Sequence, residues 1–147
     1  MLKVEVRSRI VGTFHPDEQP SNVAIDLLNE HLTVRELITQ TVEEQVRDLL
    51  IHRKLDNEKA RQILQRQYLT EEEIQKQATS GVVKQPSKKP HAYIDSAVQV
   101  NKAILAFDNG TFMIVVDGRQ LEDLDEMIAL SPSSKVTFVR MTALVGG

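Results

Sequence analysis

Apolar and polar positions alternate over Met1 to Ser8, with Leu2, Val4 and Val6 on one side and Lys3, Glu5 and Arg7 on the other. A period of two marks a strand with one covered face. Asn22 to Leu28 alternates again, with Val23, Ile25 and Leu27 inward, and is expected to return as a hairpin partner. The polar loop between them, Gly12 to Pro20, is long for a hairpin and leaves the register open. At Thr33 the period changes. Val34, Leu37, Ile38, Thr41, Val42, Val46, Leu49 and Leu50 recur at three- and four-residue steps, opposite Arg35, Glu43, Glu44 and Arg47. That is the stripe of an amphipathic helix. Thr33 and Glu36 stand at capping-box spacing, in which each side chain satisfies the other residue's free backbone N–H.

Further along, Asn57 to Gln67 reads as a helix with Ala60, Ile63 and Leu64 as its stripe. Thr70 and Glu73 form a second capping box before a short helix, Glu71 to Thr79, which Gly81 ends. Lys84 to Pro90 is a polar, proline-bracketed loop. Asp95 is placed to cap another helix, Ser96 to Phe107, with Ala97, Val98, Ile104, Leu105 and Phe107 as its apolar residues, and Asn109-Gly110 ends it. The continuous apolar run Met113 to Val116 predicts a strand buried on both faces. Asp117-Gly118 is a tight-turn dipeptide. After a short return and the break Ser131 to Ser134, Lys135 to Met141 alternates. Val136, Phe138 and, by position, Arg140 share one face; Thr137, Val139 and Met141 share the other. No internal repeat or low-complexity tract is visible.

Composition narrows the classes. The 147 residues suffice for one domain with a real core, and 41% apolar with 27% charged residues are globular values. A net charge of −3 gives no electrostatic case for nucleic acid or for an anionic membrane surface. No apolar run approaches the ~18 residues of a spanning helix. Charges throughout Met1 to Gly12 leave no signal-peptide core. The absence of cysteine removes disulfides, thiolate metal sites and thiol catalysis, and is compatible with the cytoplasmic location expected for the chain.

The run Val116-Asp117-Gly118-Arg119-Gln120-Leu121-Glu122-Asp123, the strand after it and the Gly146-Gly147 end resemble ubiquitin in order and nearly in spacing. The final half is also similar to the β-grasp sulfur carriers, such as the small subunit of molybdopterin synthase. The whole chain most resembles bacterial ubiquitin-like proteins that carry a helical insertion. The resemblance covers residues 1–54 loosely and 111–147 well. It implies an α+β, ubiquitin-like β-grasp fold: a mixed sheet with one long helix packed across it and a helical insertion before the third strand. One domain over 1–147 is expected, with the insertion at 55–110 and a C-terminal tail at 143–147.

The same resemblance makes Gly146 and Gly147 the conjugation or activation site. A carboxylate is a poor electrophile until adenylated, and an activating enzyme must draw the tail to its nucleotide. Glycine lacks Cβ, so its backbone can approach closely and take conformations barred to other residues. A chance Gly-Gly end is expected in only about 0.5% of chains. Ala143, Leu144 and Val145 are the tail-recognition candidates. They stand where ubiquitin has basic residues, so recognition through arginines is not expected; an apolar tail is more like that of the sulfur carriers, or suits a dedicated enzyme with an apolar groove. Ile114, Val115 and Arg119 fall near ubiquitin's hydrophobic recognition patch, with core packing as the alternative for at least one of the first two. Arg119 replaces the lysine of that turn and cannot accept an isopeptide bond.

Other candidates are weaker. His15, His31, His52 and His91 show no ligand spacing, so surface positions are expected rather than a metal site. His15-Pro16-Asp17-Glu18 reads as a solvated loop. Asp123, Asp125 and Glu126 lack the longer, glycine-centred calcium pattern. Glu71-Glu72-Glu73 suits a helix N-terminus, and Lys88-Lys89 a solvated loop. No Ser-His-Asp order or glycine-rich phosphate loop is present. The chain is therefore expected to be a passenger and not an enzyme, with no cofactor. Its expected partners are an ATP-dependent activating enzyme, a carrier enzyme, a deconjugating protease and a target protein. The first reading is a protein modifier. The second is a sulfur carrier forming a C-terminal thiocarboxylate. The third, of another class, is a non-covalent interaction or assembly module.

Overall fold

The structure is a computed structural model and describes residues 2–11, 20–69 and 94–141. The helix read at Glu71 to Thr79, the loop Lys84 to Pro90, His15-Pro16-Asp17-Glu18, His91 and the tail 143–147 lie outside them. Strand β1 (Leu2–Val11) alternates buried and exposed residues along its length and pairs antiparallel with β2 (Val23–Leu27), Leu2 facing Leu27 and Val6 facing Val23. A three-residue strand, β3 (His31–Thr33), leads into α1 (Val34–Arg47). A π-helical turn over Asp48–His52 extends it, and Lys54 reverses the chain with a positive φ of 54°. Then come α2 (Asn57–Tyr68), α3 (Ser96–Asp108), β4 (Met113–Val116), β5 (Arg119–Leu121), β6 (Met127–Ala129) and β7 (Val136–Met141).

The larger sheet has the order β2-β1-β7-β4-β5 and is mixed. Its first and last strands in sequence, β1 and β7, are parallel neighbours, whereas β7 and β4 are antiparallel. β3 and β6 form a separate two-stranded sheet. The fold is thus α+β, with a five-stranded mixed sheet and three helices among the described residues. The inward faces of β1, β2, β4 and β7 share one core with α1, α2 and α3, including Val6, Ile25, Leu37, Ile38, Leu64 and Phe138. A helix stripe and a sheet face cover each other because each is apolar on one side only.

Local chemistry fixes the entry to α1. Thr33 Oγ1 accepts the Glu36 N–H at 3.1 Å, and Glu36 Oε1 accepts the Thr33 N–H at 3.2 Å. The next two free N–H groups, of Val34 and Arg35, donate to the carbonyls of Glu126 and Leu124. The helix start is thereby fastened to the segment between β5 and β6. Thr33→Ala is expected to cost about 1 kcal/mol, readable as a lower midpoint in urea unfolding. At the end of α3, Gly110 takes φ 78° while Thr111 N–H donates to Ala106 and Gly110 N–H to Phe107, a Schellman cap.

One reading of the sequence needs correction. β4 is not buried on both faces: Ile114 and Val116 are buried, but Met113 and Val115 are half-exposed. An uninterrupted apolar run fits either case, and only the packed layers decide. In α3 the buried stripe is Gln99, Val100, Ala103, Ala106 and Phe107. Leu105 is 61% and Val98 43% exposed.

Candidate functional site

The strand that leads to the glycine tail lies in the middle of the sheet. β7 pairs with β1 from Val6–Val136 to Val11–Met141, so the ladder runs to the last described residue. Residues 142–147 follow directly and hold Gly146 and Gly147. A six-residue segment reaches at most about 20 Å when fully extended.

β4 joins the other side of β7, with Val115 opposite Thr137 and Met113 opposite Val139. The turn to β5 takes positive φ at both central residues, 49° at Asp117 and 85° at Gly118. Such a turn matches the twist of the paired strands. Asp117 also closes on β7's start: its N–H donates to the Lys135 carbonyl at 2.9 Å, and its carboxylate accepts the Lys135 N–H at 2.8 Å.

The partner-surface candidates separate. Successive strand residues face opposite sides. Ile114 is fully buried in the core, so it offers nothing to a partner. Val115 faces outward and is half-exposed. Arg119 is exposed and pairs with Glu126 at 2.7 Å. Beside Val115 on the outer face stand Met113 and Val139, also half-exposed, and the β1 arginines Arg7 and Arg9 oppose Thr137 and Val139. This apolar strip beside two cations was partly legible, since the alternation in 135–141 put Val139 on the face opposite Val136 and Phe138; its outward direction and its adjacency to Met113 needed the strand pairing.

The other face carries a buried polar chain. The Tyr68 hydroxyl donates to Gln45 Oε1 at 2.6 Å, and Gln45 Nε2 donates to Ser8 Oγ at 2.8 Å. Burial pushes the Tyr68 hydroxyl's pKa strongly upward, with the Gln45 hydrogen bond opposing it, so the group stays a protonated donor. Gln67 Nε2 donates to the Phe138 carbonyl at 3.4 Å, and the Arg140 guanidinium donates to the carbonyls of Gln65 and Arg66. These contacts join α2 to α1, β1 and β7.

Of the remaining candidates, His31 and His52 are exposed, each near a carboxylate of its own segment. Asp125 lies 3.6 Å from Arg35, and Glu126 is held by Arg119, so these two acids have cationic neighbours. Among the described residues no group of three metal-ligating side chains converges, and no helix is long and apolar enough to cross a membrane. No protein-family model, curated protein or solved structure matches the chain.

Proposed function

We propose that the chain is a ubiquitin-like β-grasp protein modifier in which Gly147 carries the reacting carboxylate. The observation that carries this reading is the central, parallel pairing of β1 with β7 in a mixed sheet whose inner face shares its core with α1. It makes the Gly-Gly segment the direct continuation of the middle strand. In the first step a Gly147 carboxylate oxygen attacks the α-phosphorus of ATP on a partner enzyme, and pyrophosphate leaves. A cysteine thiolate of that enzyme or of a carrier then attacks the acyl carbon, and AMP leaves. A target amine finally displaces the thiolate, forming an amide. This chain has no cysteine and supplies only the acyl group.

The apolar residues Ala143, Leu144 and Val145 support a second reading, a sulfur carrier, because they stand where ubiquitin has basic residues. The two share the adenylation step and part at the product. Intact mass after reaction with a partner enzyme, ATP and cell extract is the test. A gain equal to a protein, with an amide bond from Gly147 to a lysine in the tryptic map, is the expected outcome. A gain equal to one oxygen replaced by sulfur would favour the carrier, and no covalent product of either kind would favour a non-covalent module.

A further inference from the structure

Arg140 is the one charged residue on the inward face of β7, and it is 6% exposed. The other inward residues there, Val136 and Phe138, are fully buried and apolar. A buried guanidinium is costly unless its N–H groups are satisfied. Here it meets the carbonyls of Gln65 and Arg66 in the last turn of α2. The Gln65 carbonyl also accepts the Leu69 N–H at 2.9 Å, and both carbonyls lie at the negative end of the helix dipole, so a cation is favoured there. One residue along, Gln67 reaches from the same turn to the Phe138 carbonyl. The end of α2 therefore grips β7 at two points, both within the strand's last four residues. Tyr68, next in the helix, ties the same turn through Gln45 to Ser8 of β1, the residue opposite Phe138.

We propose that Arg140 is a positioning residue for the reacting end, and that α2 serves to hold the last residues of β7, the strand that precedes residues 142–147 in sequence. This rests on the reading of Gly147 as the reacting end. If the last residues of β7 open, those residues gain conformations that must be lost when an enzyme draws in the end of the chain. Ordering one residue's backbone corresponds to roughly a tenfold change in an equilibrium constant. Anchoring Arg140 removes that loss before the encounter.

The test compares wild type, Arg140→Leu and Arg140→Lys in the full chain. Leucine removes the donors and keeps an apolar side chain; lysine keeps a cation at the helix end. Amide hydrogen exchange is followed by NMR at residues 138–141 and across α1. In parallel, ATP–pyrophosphate exchange is measured with an activating enzyme that adenylates the wild-type chain. In Arg140→Leu, exchange at 139–141 is expected to quicken about tenfold while α1 is unchanged. KM for this chain is expected to rise by a similar factor at constant kcat, with lysine restoring most of both. Unchanged exchange at 139–141, an equal rise across α1, or an unchanged KM with a frayed strand would each overturn the proposal. If Arg140→Leu does not fold, Arg140→Gln, which keeps one donor group, is read by the same criteria. Should no enzyme adenylate the wild-type chain, the functional reading fails, whereas the hydrogen-exchange arm still decides whether Arg140 anchors the strand.

Discussion

Phe138→Ala is expected to destabilise the protein by about 3–5 kcal/mol, the range for emptying a fully buried aromatic site. Phe138 is 0% exposed and sits on the central strand between Ser8 of β1 and Ile114 of β4. Its ring lies 5.4 Å from that of Phe112, which meets Tyr68 edge-on at 5.0 Å and Phe107 at 5.8 Å. Truncation would therefore open a cavity where the sheet meets the residue leading into β4 and the helices on either side of it. Strands on both sides hold the backbone, so collapse into the gap is restricted and the cost falls high in the range. Domains are commonly stable by only about 5–15 kcal/mol, so a large part of the total would be lost. The chain has no tryptophan, so urea unfolding followed by far-UV circular dichroism is the suitable measurement. A loss below about 1 kcal/mol would mean that the site tolerates the missing ring and that the packing described around it is wrong.

The elements written in short-range chemistry were legible in the sequence. Thr33 and Glu36 form the reciprocal cap that their spacing implies, and the turn at Asp117-Gly118 has the backbone angles its residues favour. The alternation in β7 placed Arg140 on one face with Val136 and Phe138, and that face is the buried one, because the side-chain period of a strand is strict. Long-range chemistry was not legible. Gln45 reads as a polar residue of α1, yet it is 1% exposed between Ser8 and Tyr68, partners 37 and 23 residues away. The apolar residues of α3 surround the helix, so the sequence does not select the buried face of Gln99, Val100, Ala103, Ala106 and Phe107. β3 and β6 are three residues each, too short to show a period, and their pairing depends on each other. At the candidate surface, alternation alone could separate Ile114 from Val115 but could not say which faced inward. The proposed reacting end is the reverse case: Gly146 and Gly147 were read from sequence and lie beyond the described residues.

The second large effect concerns that end. Gly147→Asp changes a position outside the described residues, six residues beyond Met141 in sequence. It adds a Cβ where a channel admits bare backbone, and a second carboxylate beside the one that must approach the ATP phosphates. Crowding and like-charge repulsion act in the same direction, so adenylation is expected to fall at least about a hundredfold, a rise of roughly 2.7 kcal/mol in the barrier. Folding should be unaffected, which unchanged circular dichroism would check. The decisive measurement is ATP–pyrophosphate exchange on a partner activating enzyme with wild type and Gly147→Asp side by side. Exchange that depends on the wild-type chain and vanishes with the variant is the expected result. Equal exchange with both proteins would show that the acyl group of Gly147 is not what the enzyme activates.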